Sequence, residues 1–435
     1  MQYMAKIVFS FGMIFLLFRM SSAGVSSLVN TSHLDYLYQE VTISGVPAAV
    51  IRIYSEAPDY RIVAAPGEGI ACVDDAARAA IFYLRYYRAG GNRSNLHKAR
   101  RLLNFIMAMQ ADNGYFYNFI NADYQIQRTL ANSRPVPDWW SWRALLALAE
   151  GYRFYRQADR EYGARIQRHI QKLWSNLKNK GKFSPPKMKF DGNEQPSWLP
   201  HKSAADQASV LMLGLLSYYS QNKDSTIARR IRILARGIKL MQRGNASTFP
   251  FGAFLSWQNQ WHAWGNSQSE ALLVAGEALS NPRLTQAALL EIGYFYPYLI
   301  KFKYRNWFRL EHIETSYIPV KGSVFPQIAY GIRPMVAASL AAYRITGEKK
   351  YAEQAGEIAS WLLGKNITGK PLYDPQTGRC FDGIESATQL NKNSGAESTI
   401  EALITLLAVE QNTIAKNIVF NFYEQFLKDN SKNGK

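Results

Sequence analysis

Two neighbouring acids, Asp74 and Asp75, stand just before an apolar run, and a third, Glu397, stands before another near the far end of this 435-residue chain. Two opposed carboxyl groups can share a hydrolysis: one keeps its proton and donates it to a leaving oxygen, while the other, ionised, activates water. Aromatic and polar side chains gather ahead of the other apolar runs in the same way. They are Asp138, Trp139 and Trp142, then His201 and Asp206, then Trp261, His262, Trp264 and Glu270, then Tyr330 and Arg333. Indole faces stack on sugar rings, so acids set among indoles suit a carbohydrate. Each group also has a purely structural reading. Asp74, Asp138 and Glu397 lie where helices favour an acidic cap, and a single Trp is ordinary core. The adjacent Asp74 and Asp75 resist that reading, because a cap needs one acid and two like charges repel.

These groups act together only if the fold gathers them. Hydrophobic periodicity predicts helices over 74–89, 95–110, 138–157, 160–178, 204–221, 224–242, 266–280, 282–303, 333–346, 348–364, 396–409 and 411–428, with almost no strand. Short links with turn chemistry, such as Gly90-Gly91-Asn92 and Asn281-Pro282, make the helices antiparallel pairs. First members are apolar on most faces, as in Ala144-Leu145-Leu146-Ala147-Leu148-Ala149, whereas second members are amphipathic and basic, as in Ile227 to Arg243. Six hairpins with a buried first helix close into an all-α (α/α)6 toroid of twelve helices. An open superhelix of helix pairs is the alternative, but it calls for a fixed repeat period that the hairpin starts lack. In a closed ring all the inner helices start at one rim, so their free N–H groups, positive dipole ends and polar first turns share one mouth. Domain limits follow: 24–73 as an extension, 74–428 as the barrel and 429–435 as a polar tail.

Composition removes other classes. A chain with 47% hydrophobic and 19% charged residues is not a disordered one. Two cysteines and six scattered histidines offer no zinc spacing, and no phosphate-cradling glycine loop occurs, so no metal and no cofactor are expected. Asp374 and Asp382 are available oxygen donors for calcium but belong to no EF-hand pattern. Lys6, the apolar stretch Ile7 to Phe18, and Ser21-Ser22-Ala23 read as a signal peptide over 1–23, with a retained membrane anchor as the alternative. The mature chain is then periplasmic or extracellular, without a membrane span. The net charge of +18 invites a polyanionic partner, but export argues against nucleic acid, and clusters such as Arg229, Arg230, Arg232 and Arg236 fall at helical spacing on a solvated face. Cys72 before the first inner helix and Cys380 before the last would be rim neighbours in a closed ring. An exported protein permits a disulfide there, which we expect over two free buried thiols.

The twelve-helix plan resembles the six-hairpin glycosidase superfamily. Val73-Asp74-Asp75-Ala76-Ala77-Arg78-Ala79, with Leu363-Gly364-Lys365-Asn366, Pro371-Leu372-Tyr373-Asp374-Pro375, Gly378-Arg379-Cys380-Phe381-Asp382-Gly383 and Gly395-Ala396-Glu397-Ser398-Thr399, is similar to a bacterial toroid domain often found beside glycosyltransferases. A more distant likeness is to family 9 endoglucanases, although the acids here are adjacent and Ile367 stands where that pattern has Pro. That likeness implies Asp74 or Asp75 as the base and Glu397 as the acid of an inverting hydrolysis. The leading expectation is an exported glycoside hydrolase on an oligo- or polysaccharide. Two others remain: a lyase or epimerase using His201, His262 or Tyr330 with Arg333 at an acidic glycan, and a non-catalytic glycan-binding protein of a polysaccharide system.

Overall fold

Apolar residues at a spacing of three and four build the outer layer. Ile227, Ile231, Leu234 and Ile238 are buried along one stripe of a helix whose Arg232 and Arg236 are exposed. Burying each such side chain contributes about 1.5–3 kcal/mol. The computed structural model describes residues 27–64, 67–178, 186–314 and 316–433. The expected signal peptide lies outside the described residues.

After a short helix α1 (Ser32–Leu37), the helices alternate between two layers. The inner ones are α2 (Val73–Arg88), α4 (Trp139–Ala158), α6 (Ala205–Asn222), α8 (Gln268–Ala278), α10 (Ala329–Thr346) and α12 (Ala396–Glu410). Their outer partners are α3 (Arg93–Ala108), α5 (Arg160–Leu177), α7 (Ser225–Leu240), α9 (Pro282–Lys301), α11 (Lys349–Ala359) and α13 (Thr413–Asn433). Each inner helix packs on the next, and α12 returns to α2. That contact closes the (α/α)6 toroid and excludes the open superhelix. Side chains of the first and second turns meet across neighbouring inner helices, as Arg78 of α2 does with Glu397 and Glu401 of α12, so the inner ring is parallel. Among the described residues no helix is long and apolar enough to cross a membrane.

Three expectations change. Helix α10 begins at Ala329, one turn earlier than expected, so Pro334 lies inside it and leaves the Tyr330 carbonyl without its helical N–H donor. Helix α13 runs on to Asn433, through most of the stretch read as a polar tail. Strand is also more abundant than the helical periodicity implied. Gln260–His262, Trp307–Ile313 and Ser316–Ser323 form an antiparallel sheet, and smaller hairpins such as 187–190 with 193–196 occupy the connections between helix pairs. The Asp191-Gly192 turn, with both φ angles positive, is a hairpin signal that the helical reading passed over.

The expected Cys72–Cys380 disulfide is absent; both are free, buried thiols. A piece of the N-terminal extension lies between their loops. The Ile53 N–H donates to the Ile70 carbonyl on one side, and on the other the Ile53 and Ser55 carbonyls accept from Ala396 and Ser394. Residues 53–55 thus seal the seam between the first and last hairpins by hydrogen bonds. Cys72 instead caps α2: its Sγ accepts from the Asp75 N–H and lies 3.2 Å from Asp75 Oδ2. Burial pushes both thiols well above their usual range. Thiol titration of the protein denatured without reductant is expected to count two sulfhydryls; a count of zero would reinstate the bond.

Candidate active site

The first turns of the inner helices converge on a network of five acids and three arginines. Arg78 of α2 is buried and divides its guanidinium among three carboxylates: Asp75 at 2.8 Å, Glu397 at 2.6 Å and Glu401 at 3.0 Å. Arg333 of α10 takes the other Glu401 oxygen at 2.7 Å and lies 3.5 Å from Glu270 of α8. Arg143 of α4 lies 3.3 Å from Asp74 Oδ1 and donates to the Tyr330 hydroxyl. The Tyr330 ring is flanked by all three guanidiniums, Arg78 and Arg143 each at 4.8 Å and Arg333 at 5.8 Å from its centre. Acids outnumber cations, so a proton is retained more easily here than in water.

The acids sort by exposure. Asp75 keeps 5% of its side-chain surface and Glu401 1%, whereas Asp74 keeps 22% and Glu397 42%. Glu397 is walled by protein yet open to solvent on one side. Burial raises the Glu397 carboxyl, against the opposing pull of Arg78, and the charges of Glu401 and Asp74 add to the rise. Asp74 is raised by burial too, again opposed by Arg78. Burial pushes Asp75 up to about 7 despite Arg78. The start of α12 is held by Asp382, whose Oδ1 accepts from the Gly395 N–H at 2.8 Å and the Ser398 hydroxyl at 2.5 Å. Asp382 therefore aims Glu397. Asp374 closes a turn onto Gln376 and Thr377. Among the described residues no group of three or more His, Cys, Asp or Glu could hold a metal ion.

A second cluster shares the mouth. Asp138 caps α4 and accepts from the Gln207 amide at 2.9 Å, with His201 at 3.2 Å from its other oxygen. His262 lies 3.0 Å from Asp206 and stacks on Trp264 with ring centres 3.9 Å apart. A cavity of about 320 Å³ is lined by His201, Asp206, Gln207, Trp257, His262 and Trp264, and through Gln260 it borders a groove of about 420 Å³ lined also by Asp191 and Arg309. Neither cavity is lined by Asp74 or Glu397, so the acids lie beside these hollows. The link runs through Gly265, where an added Cβ would sit 2.8 Å from Trp139 and 3.0 Å from the Tyr330 hydroxyl. Several buried polar atoms around this mouth have no hydrogen-bond partner in the protein, namely Arg143 Nη1, Gln268 Oε1 and His262 Nδ1, while Asp74 Oδ1 and Glu270 Oε2 have only the long ion-pair contacts to Arg143 and Arg333. Buried polar atoms are normally satisfied, so this concentration fits a site that receives a polar ligand.

The mouth therefore collects Asp74, Glu397, Asp138, Trp139, His201, Asp206, His262, Trp264, Glu270, Tyr330 and Arg333. It leaves out three of the expected residues. Asp75 is enclosed by Cys72 and Arg78 and positions rather than faces the opening. Trp142 is core, its indole N–H donating to Gln207 at 3.0 Å. Trp261 points the other way because side chains alternate along a strand: Gln260 and His262 line the cavity while Trp261 stacks on Phe308 at 5.1 Å. Arg78, Arg143 and Glu401 were missed as candidates. A signal for them existed, since each follows a residue singled out, Asp74, Trp139 and Glu397, by four positions and so shares its helix face.

Gly265 has φ +73°, a left-handed conformation that glycine adopts freely. Gly265→Ala is expected to cost about 1–2 kcal/mol of stability. By displacing Trp139 or Tyr330 it should also lower kcat/KM by about 10- to 100-fold. Thermal melts and steady-state kinetics would check both.

No family model matches the chain, and no curated protein matches it significantly. Solved structures do. A cellobiose 2-epimerase from Bacillus thermoamylovorans B4167 superposes over 83% of this chain and 92% of its own, with a TM-score of 0.56 and 12% identity. A family 76 glycoside hydrolase from a bovine Bacteroides thetaiotaomicron strain covers 89% and 78%, with a TM-score of 0.54 and 12% identity. The cellulase CEL9M of C. cellulolyticum covers 85% and 89%, with a TM-score of 0.51 and 11% identity. At such identities the likeness is one of architecture, and it agrees with the closed double ring of helices. The chain has the (α/α)6 toroid fold, the architecture it shares with these solved structures.

Proposed function

We propose that the protein is an exported carbohydrate-processing enzyme, a glycoside hydrolase on an oligo- or polysaccharide, with Glu397 as proton donor and Asp74 as the base that activates water. The observation that carries this reading is the sorting of the acids. Of the five, Asp74 and Glu397 are the two most open to the mouth, on adjacent inner helices, and burial holds both above the ordinary carboxylate range. A raised carboxyl is what a general acid needs near neutral pH. Trp139 and Trp264 supply faces for sugar rings, and His201, Asp138 and Gln207 supply polar contacts. The fold neighbours named as glycoside hydrolases support the same chemistry. The test is a glycan panel screened for new reducing ends, with the Glu397→Gln protein as control. Inversion is expected, and proton NMR of the first anomer released would reveal it. A panel without any Glu397-dependent reducing ends would overturn the hydrolase.

A specific observation favours a second reading, an epimerase. His262 is paired with Asp206 and stacked on Trp264 in the 320 Å³ cavity, an arrangement suited to moving a proton on carbon. Several neighbours named as sugar epimerases share the fold. Incubating disaccharides in D₂O separates the two. Deuterium entering a sugar C–H without cleavage, and lost in His262→Asn, would mark the epimerase.

A further inference from the structure

The inner helices run from the mouth to an opposite rim, the base of the barrel. There the last turn of α2, the first residue of α3, the end of α4 and the first residue of α5 bring Arg85, Arg88, Arg93, Arg153 and Arg160 onto one sector, all exposed. Among the described residues none of the five forms an ion pair. The nearby acid Asp159 is taken by Arg100 at 2.7 Å, which leaves Glu150 and Glu161. Arg88 is held below its ordinary range by partial burial, with Glu150 opposing and Arg153 and Arg85 adding to the depression. Arg88 lies 5.4 Å from the Phe154 ring centre, and Phe154 meets Tyr87 edge-on at 5.8 Å. Arginines set among half-buried aromatics are the composition of surfaces that rest at a lipid headgroup layer.

The course of the chain adds an independent observation. The Ser27 hydroxyl donates to Glu410, the last residue of α12, at 3.0 Å, and the Leu28 N–H donates to the same carboxylate. The first described residues thus lie at the base, on the helix next to α2. Lys6 and the apolar stretch Ile7 to Phe18 precede this point, separated from it by residues 19–26, which reach at most about 28 Å. That reach would let a membrane holding the stretch, where the stretch is retained, meet the sector of the arginines.

We propose that this sector of the base rests on an anionic lipid surface, with the mouth turned away into solvent. Each basic residue near such a surface raises partitioning about fivefold. Attraction of this kind is screened within about 10 Å at 0.1 M salt.

Co-sedimentation with vesicles tests it, using the full chain and the chain from Gly24 onward, which keeps every described element. The shorter chain is expected to bind phosphatidylcholine vesicles containing phosphatidylglycerol at low salt, to bind pure phosphatidylcholine weakly, and to be released by high salt. Arg85→Glu/Arg88→Glu/Arg153→Glu should weaken that binding by about a hundredfold or more, and the full chain should lose the same salt-sensitive part. Lys321→Glu/Lys370→Glu/Lys392→Glu, an equal charge change at exposed sites in the connections between hairpins, should keep it. Circular dichroism checks folding, and the single variants Arg85→Glu and Arg153→Glu serve if the triple one unfolds. Equal binding to both vesicle types, or equal loss in both triple variants, overturns the proposal. Retention on heparin through the same arginines without vesicle binding overturns it in favour of an acidic polysaccharide.

Discussion

Glu397→Gln is expected to lower kcat by about 10²- to 10⁴-fold on the glycan the protein turns over, the range that one positioned proton donor contributes. Asp74→Asn should fall as far, whereas Asp75→Asn, which changes an enclosed group, should fall less. The amide keeps the volume of Glu397 and can still meet Arg78, so melting temperature should change little while turnover collapses. The pH profile gives an independent readout. Activity requires Glu397 protonated and Asp74 ionised, so it falls on the alkaline side as Glu397 loses its proton and on the acid side as Asp74 gains one. Burial raises both groups, which moves the whole bell upward from the ordinary carboxylate range. A variant at Glu397 with full turnover and an unchanged alkaline limb would remove it from the reaction.

Arg78→Met is expected to destabilise the fold by about 3–5 kcal/mol, the usual penalty for leaving buried charge without its partner. The dependence on pH separates this cause from a packing defect. Asp75 already titrates at about 7 in the folded protein, against about 3.9 in an unfolded chain. For an acid raised in this way the native state holds the proton more tightly than the unfolded state. The stabilising contribution is therefore fully present below the unfolded value and is lost as pH rises through the folded one. Removing Arg78 raises Asp75 and Glu397 further, since the guanidinium meets both and opposes the rise in each. The loss in Arg78→Met should thus be small near pH 4 and full above pH 8, as measured by chemical denaturation at each pH. A loss equal at both would mean that Arg78 matters only as volume.

How far the sequence could be read differs between layers. Stripes such as Ile227, Ile231, Leu234 and Ile238 mark an outer helix without reference to anything else, because a helix repeats every 3.6 residues and water selects which face is polar. The closed ring was legible for a related reason: inner helices apolar all round must be surrounded, and six hairpins do that by closing. Connections were less legible. The sheet built from Gln260–His262, Trp307–Ile313 and Ser316–Ser323 joins segments some fifty positions apart, and strands that short carry little periodicity of their own. The two thiols failed for a different cause, since rim loops that are neighbours in plan were held apart by residues 53–55 of the extension.

For this protein, then, local pattern determined the twelve ring helices, their pairing, and the rim at which Asp74, Asp138, Asp206, Glu270, Tyr330 and Glu397 gather. Those properties depend on spacings of three and four residues, which the chain carries in itself. Only the tertiary structure decided which acid faces solvent and which is enclosed, that Arg78 serves three carboxylates from two helices, and that Trp261 turns away from the cavity while His262 lines it. Exposure, charge sharing and proton affinity depend on groups brought together from opposite ends of the chain. Their strength is set by burial, which no stretch of sequence possesses before the ring has closed.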